Sequence, residues 1–273
     1  MADYETDSGG ATLSISDDGE GPAIVLAHGL TATRRYVVMG STALPRSGHR
    51  VIAYDARGHG VSSPAPQPDA YTYGDLGDDL EAVLEAAGVA RAVFAGASMG
   101  AHTVIRLALS RPQRVAGLVV ITPAYPDEFD DPARLARWDA LSEGLRTGGV
   151  DGFLAAYGDP QVPQRWRDSV LKVIRQRLAL HEHPQALADA LRVVPRSRPF
   201  QSLEDLSAIA APTVVVASAD EADPGHPQAV GEAYAEAIPG AQLVTDEPGR
   251  SPVAWQGSQL SKIIANVVSE ADL

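Results

Sequence analysis

The sequence predicts an α/β fold in which a mostly parallel central sheet is covered by helices on both faces. Short apolar runs, such as residues 23–27 and 115–122, alternate with amphipathic helical patterns, and strands buried on both faces have this character. Glycine-rich turns follow several of these runs. Right-handed crossovers between parallel strands bring the carboxyl ends of the strands to one edge of the sheet, where sites in such folds lie. We therefore expect the loops after residues 27, 55, 97 and 122 to meet there.

Taken in order, the elements begin with an alternating edge strand at residues 12–16. The turn-forming residues 17–22 predict a hairpin between this strand and the next one. Further strands are predicted at residues 23–27, 51–55, 92–95, 115–122, 212–217 and 242–244. Helices are predicted before residue 47, at 75–87, at 101–110, before residue 238 and at about 251–268.

The segment at residues 125–200 has a different character, because strand-like runs disappear and helical patterns take over at 131–146, 166–180 and 184–194. We expect this segment to form a helical cap inserted into a core made of residues 1–124 and 201–273. The arginines of the cap are interpreted as solvated helix faces, with the alternative that one of them reaches an anionic substrate: Arg165, Arg167, Arg175, Arg177, Arg192, Arg196 and Arg198.

The amino-acid composition excludes several classes of function. The 273 residues carry a formal net charge of -13, which repels nucleic acids and anionic membrane surfaces at long range. The absence of cysteine excludes disulfides, thiolate metal sites and cysteine nucleophiles. The acidic N-terminus and the lack of a long apolar run predict a cytoplasmic protein. We expect a small-molecule substrate or ligand, with no metal and no cofactor.

The segment Gly-Ala-Ser-Met-Gly at residues 96–100 has the pattern of a nucleophile elbow. It lies between a predicted buried strand and a predicted helix, and its two glycines relieve the crowding that a sharp turn imposes. Such a turn exposes the hydroxyl of Ser98 at the start of a helix, whose unpaired N–H groups stabilise a developing oxyanion. The glycine after the strand at residues 23–27 makes the backbone N–H of Leu30 a second candidate donor.

Together with this elbow, several motifs resemble the alpha/beta-hydrolase superfamily over essentially the full chain. They are His28-Gly29 after one strand, Asp-Ala-Arg-Gly-His-Gly at residues 55–60 after the next, the cap insertion, and residues 212–227 as an acid-bearing strand and loop. The resemblance implies that Ser98 is the nucleophile and that the N–H groups of Leu30 and Met99 form the oxyanion hole.

In this family the catalytic acid stands in a segment that reads Asp-Pro-x-x-Pro. Residues 223–227 match that spacing, so the resemblance implies Asp223 as the acid, with Asp220 and Glu221 as alternatives. The family places its catalytic histidine after the last strand, where this chain has Arg250. An arginine is always protonated and cannot accept the proton of Ser98. Arg250 is therefore a candidate partner for an acidic ligand group or for Asp223.

Another histidine must then supply the base. His226 is the preferred substitute, because it lies in the acid loop near the catalytic edge. The other histidines are interpreted as packed, structural or remote from that edge: His28, His49, His59, His102, His181 and His183.

These observations predict a cofactor-independent serine hydrolase of an ester, a lactone or a related small acyl compound. One alternative is a small-molecule binding protein that keeps the pocket and has lost turnover. A second alternative is a lyase or isomerase in which Arg250 stabilises an enolate or a carboxylate.

Overall fold

The computed structural model describes residues 2–125, 129–247, 249, 251, 255–271 and 273. Within these residues, eight strands form a single sheet in the order β1-β2-β4-β3-β5-β6-β7-β8. The strands are β1 (Ala2–Ser8), β2 (Ala11–Asp18), β3 (Ala23–Ala27), β4 (Arg50–Tyr54), β5 (Ala92–Ala97), β6 (Val115–Ile121), β7 (Thr213–Ala217) and β8 (Gln242–Thr245). From β4 to β8 all neighbouring strands are parallel. The predicted fold class is therefore confirmed.

The amino-terminal hairpin differs from the prediction. The tight turn joins β1 to β2 at Gly9 and Gly10, both with positive φ, and β2 continues the sheet beside β4. The prediction of a hairpin across residues 17–22 was wrong, because β3 lies on the far side of β4 and the chain crosses to reach it. Strand β1 was not predicted, because its sequence is polar, as an exposed edge strand allows.

Helices cover both faces of the sheet. Helices α1 (Ala43–Arg46) and α8 (Gly257–Glu270) lie on one face, and α2 (Tyr73–Ala86), α3 (Met99–Ser110) and α7 (Gln228–Ala237) lie on the other. Successive residues of β5 enter opposite cores: Val93 and Ala95 pack on the α8 side, and Phe94 packs on the α2 and α3 side. This period of two explains why the central strands read as continuous apolar runs.

Between β6 and β7 the chain contributes α4 (Pro132–Tyr157), α5 (Gln164–Leu178) and α6 (Pro184–Val193), which we call the helical insertion. Helix α4 extends beyond the predicted residues 131–146 and is interrupted at Gly149, whose φ is 58°. None of the described helices is both long and apolar enough to span a bilayer.

A buried ion pair ties the loop after β4 to α2. The Nη2 of Arg57 lies 2.6 Å from Oδ1 of Asp79, and its Nε donates to Oδ2 at 2.9 Å. Arg57 also donates to the carbonyl oxygens of Ser8 and Ala70. Burial raises the pKa of Asp79, and the guanidinium opposes that shift. The pair holds the loop after β4 at the carboxyl edge of the sheet.

Candidate active site

Ser98 occupies a sharp turn between the end of β5 and the start of α3. Its φ of 52° and ψ of -112° fall in a region that side chains rarely adopt, so the backbone is strained there. The N–H of Ser98 donates to the carbonyl oxygen of Ile121 at 3.0 Å, which fixes the turn against β6. The predicted elbow therefore has the expected backbone geometry.

The two glycines of the elbow are needed for space. A Cβ at Gly96 would overlap the carbonyl group of Gly100, and a Cβ at Gly100 would overlap the carbonyl group of Ala27. Helix α3 therefore starts in direct contact with the end of β3. This close approach brings the loop after β3 beside Ser98.

A chain of hydrogen bonds joins Ser98 to two residues of the loop after β7. The Nε2 of His226 lies 2.9 Å from Oγ of Ser98, and its Nδ1 lies 2.8 Å from Oδ2 of Asp223. Burial alone would raise the pKa of Asp223, but the charge and hydrogen bond of His226 hold it below its usual value, with help from Arg177. An ionised Asp223 accepts a hydrogen bond from the Nδ1–H of His226, which leaves Nε2 unprotonated and able to accept the proton of Ser98.

Asp223 and His226 belong to one turn. The N–H of His226 donates to the carbonyl oxygen of Asp223 at 3.3 Å, and the N–H of Asp223 donates to that of Asp220 at 3.0 Å. The alternative acids have other contacts. The carboxylate of Asp220 accepts from the N–H of Ala222 at 2.8 Å, and that of Glu221 contacts Arg165 and Trp166 of α5. Of these three acids, Asp223 is the one that the structure places on His226.

The predicted oxyanion donors lie on either side of Ser98. Met99 is the first residue of α3, so its N–H has no acceptor within the helix. Leu30 follows Gly29, where a Cβ would lie 3.5 Å from both the carbonyl oxygen of Ala97 and the Cβ of Ser98. The loop after β3 thus packs directly on the elbow.

Three histidines hold the carbonyl groups of this loop. His28 Nδ1 lies 2.8 Å from the carbonyl oxygen of Gly29, His59 Nε2 lies 2.7 Å from that of Leu30, and His181 Nε2 lies 3.2 Å from that of Thr31. Imidazoles from three segments therefore face three consecutive peptide groups. These contacts fix the orientation of the peptides that flank the N–H of Leu30.

Two of these rings are neutral. His28 Nε2 accepts from the N–H of Ala56 at 2.9 Å, and His181 Nδ1 accepts from that of Gly60 at 2.9 Å. Burial lowers the pKa of His28 and of His181 to about 3. Sequence reasoning gave His181 no such role, because its contacts are with residues 121 and 150 positions away. No local pattern around His181 signals them.

The remaining histidines are remote from the Ser98 hydroxyl or engaged elsewhere. His102 lies between the hydroxyl groups of Tyr73 and Tyr234, at 2.9 and 2.8 Å, and burial lowers its pKa to about 3. His49 precedes β4 and contacts Ser47, and His183 precedes α6. Arg250 lies outside the described residues. Within the part of the chain that is described, no group of histidines and carboxylates is arranged to hold a metal ion.

The chain is similar to several known proteins in sequence and in fold. The sequence model of the alpha/beta hydrolase fold family matches residues 22–147. A Variovorax paradoxus protein named as a carbamate hydrolase, RutD, is 31% identical over 209 residues, which span 76% of this chain and 77% of that protein. The 3-oxoadipate enol-lactonase 1 of Acinetobacter baylyi is 28% identical over 228 residues, or 80% of this chain and 79% of the enzyme. A solved structure of a hydrolase from Pseudomonas aeruginosa PA01 has 30% identity and a TM-score of 0.74, with 98% of this chain and 97% of that one covered.

Proposed function

Because this chain belongs to the alpha/beta-hydrolase superfamily, we propose that it is a cofactor-independent hydrolase of a small ester, lactone or related acyl compound. In this proposal Ser98 is the nucleophile, His226 is the general base and Asp223 orients His226. The observation that carries the proposal is the continuous chain of hydrogen bonds from the Ser98 hydroxyl through His226 to the Asp223 carboxylate. The names of the relatives, a carbamate hydrolase and an enol-lactonase, support a substrate that is attacked at an acyl carbon.

The first half of the reaction forms an acyl-enzyme. His226 Nε2 accepts the proton as Ser98 Oγ attacks the substrate carbonyl carbon, and the imidazolium is stabilised by the Asp223 carboxylate. The carbonyl oxygen becomes an oxyanion, which the N–H groups of Leu30 and Met99 stabilise. His226 then returns its proton to the leaving alcohol oxygen as the carbon–oxygen bond breaks. A lactone leaves its alcohol attached to the acyl group.

The second half regenerates the enzyme. A water molecule gives a proton to His226 as its oxygen attacks the acyl carbon, and the second oxyanion occupies the same two N–H groups. The collapse of this intermediate breaks the bond to Ser98 Oγ, which recovers its proton from His226. The products are a carboxylic acid and an alcohol, or one hydroxy acid from a lactone.

We propose that the helical insertion is a cap that closes the substrate site. Two contacts support this role: the bonds of His181 to the loops after β3 and β4, and the N–H of Glu182, which donates to the carbonyl oxygen of Gly60 at 2.9 Å. Both contacts lie at the carboxyl edge of the sheet. The segment between α5 and α6 thus packs on the loops that flank Ser98.

The proposed roles are tested by labelling and turnover of matched variants. Because a hydroxyl without a base is a poor nucleophile, His226→Ala is expected to lower kcat for chromogenic esters by about 10⁴-fold or more. Ser98→Ala is expected to abolish labelling by a fluorophosphonate, measured as a mass shift on the peptide that contains residue 98. His49→Ala is the control, since His49 precedes β4 at the opposite edge of the sheet.

Two results would contradict the proposal. Unchanged ester turnover in His226→Ala would remove His226 as the base. A ligand that binds and is released unchanged, with no labelling of the parent at Ser98, would instead indicate a binding protein. Turnover in H₂¹⁸O separates hydrolysis from a lyase or isomerase, because hydrolysis places one labelled oxygen in the acid product.

A further inference from the structure

The four arginines of α5 differ in their partners. Arg165 contacts the carboxylate of Glu221, Arg167 lies 3.4 Å from that of Asp159, and Arg175 lies 2.6 Å from that of Asp151. All three side chains are exposed. Arg177 is half-buried, and its Nε is buried without a hydrogen-bond partner. Among the described residues Arg177 forms no ion pair. It is therefore the arginine of α5 whose positive charge has no carboxylate partner there.

A buried guanidinium nitrogen without a hydrogen-bond partner, such as the Nε of Arg177, is unfavourable. Folding removes part of the Arg177 side chain from water, and this desolvation lowers its pKa. An arginine nevertheless stays protonated in proteins, so the charge persists. Buried charges are ordinarily paired, because an unpaired one pays for desolvation without compensation. A half-buried cation without a partner among the described residues is therefore available to an anion from outside the chain.

The groups around Arg177 belong to the candidate active site. The negative charge of the Asp223 carboxylate acts on the guanidinium of Arg177, and in return Arg177 helps to keep the pKa of Asp223 low. Arg177 thus lies near the proposed acid, while the Oδ2 of Asp223 is engaged by His226.

Helix α5 is connected to the loops on both sides of the site. Near its first turn, Arg165 and the indole N–H of Trp166 contact Glu221, two residues before Asp223. Beyond its last turn, His181 bonds to the loops after β3 and β4. The helix therefore lies between the acid loop and the proposed oxyanion loop, and Arg177 stands in its last turn.

We propose that Arg177 binds a carboxylate group of the substrate, so that the substrate class is an anionic ester or lactone with a carboxylate a few atoms from the acyl carbon. This inference rests on the hydrolase function proposed above. It selects one of the seven arginines at residues 165–198 as the contact to an anionic substrate.

A carboxylate suits this position for two reasons. The planar guanidinium donates two parallel hydrogen bonds to two oxygens of a carboxylate. The net charge of -13 disfavours anions at long range, so an anionic substrate needs a local cation at its site.

The test compares two esters that differ in one charge. The 4-nitrophenyl monoester of glutaric acid carries a free carboxylate, and 4-nitrophenyl pentanoate lacks it. Arg177→Met is expected to lower kcat/KM for the glutarate monoester by about 10- to 100-fold through a higher KM, because a charge-assisted hydrogen bond is lost. The value for the pentanoate is expected to fall by clearly less, because that ester loses only the effect of Arg177 on Asp223. Arg177→Lys, which keeps the charge without the fork, is expected to fall between the parent and Arg177→Met.

Arg175→Met is the matched control, because Arg175 lies on the same helix and is already paired with Asp151 on the exposed side. An equal loss for both esters in Arg177→Met would overturn the inference and assign Arg177 to the positioning of Asp223. No preference for the glutarate monoester in the parent would overturn it as well. If the parent hydrolyses neither ester, the proposed hydrolase function fails first. Calorimetric binding of glutarate to the parent then supports the Arg177 site only if Arg177→Met abolishes it, and absence of binding overturns the site.

Discussion

At the scale of single residues, the elbow around Ser98 depends on the absence of a side chain at residues 96 and 100. Ser98 holds a positive φ because β5 and α3 meet at this turn, and that meeting is possible only where residues 96 and 100 have no side chain. The pattern Gly-x-Ser-x-Gly was readable in the sequence because each glycine answers a local steric demand.

Gly100→Ala tests this steric demand. The added methyl group would overlap the carbonyl group of Ala27, so we expect a loss of stability of about 3 kcal/mol or more together with loss of Ser98 labelling. The measurement is urea-induced unfolding followed by circular dichroism. Gly148→Ala is the control, since nothing lies within 4 Å of a Cβ there and alanine favours a helix. Equal stability of Gly100→Ala and the parent would mean that α3 does not start against β3.

At the scale of elements, the carboxyl edge of the sheet is held together by loop contacts rather than by the strands alone. The loop after β4 is fixed by Arg57 to α2, and the loop after β3 is fixed by three imidazoles. The parallel strands were predictable from their apolar runs. The contacts of Arg57, His59 and His181 were not, because each one joins segments that are distant in the chain.

Arg57→Met tests the buried ion pair. It leaves the carboxylate of Asp79 buried without its partner, so we expect a loss of about 3–5 kcal/mol of unfolding free energy. Arg114→Met is the control, because the pair of Arg114 with Glu81 lies nearer the surface and should contribute about 1 kcal/mol or less. Both values come from urea unfolding at neutral pH. A similar loss in the two variants would show that burial does not set the strength of the Arg57 pair.

At the scale of the whole molecule, most strands and helices could be predicted from local sequence patterns. The candidate active site could be predicted only in part. Ser98 was marked by its neighbours, and Asp223 by the resemblance of residues 223–227 to the Asp-Pro-x-x-Pro segment of the family. His226 was preferred as the base for its position in the acid loop, and the structure brings it to Ser98. Arg177 was indistinguishable from six other arginines, because its lack of a partner depends on how α5 packs. Such information is absent from any local window of sequence.

Stability should fall in mild acid because three buried histidines are neutral in the folded protein. Burial lowers the pKa of His28, His102 and His181 to about 3, whereas an unfolded histidine titrates near 6.5. Between these values the unfolded chain binds more protons, so unfolding becomes more favourable as the pH decreases. From pH 7 to pH 5 each histidine should remove about 2 kcal/mol of unfolding free energy.

The measurement is urea unfolding at pH 7, 6 and 5. In His102→Gln the amide keeps a donor and an acceptor for the two tyrosine hydroxyls. The slope of unfolding free energy against pH should decrease by the contribution of one histidine. This control separates titration from packing, because a packing defect lowers stability equally at every pH. If the unfolding free energy of the parent did not change between pH 7 and pH 5, the buried histidine rings would not be neutral in the folded protein.

One short turn carries both Asp223 and His226. The two residues are three positions apart, so their contact forms within one local segment and needs no long-range closure of the chain. Because both residues lie in one loop, a displacement of this loop would remove Asp223 and His226 from Ser98 together. In the proposed mechanism the segment Asp-Pro-Gly-His at residues 223–226 supplies both the acid and the base, so no proton acceptor is required from the connection after β8.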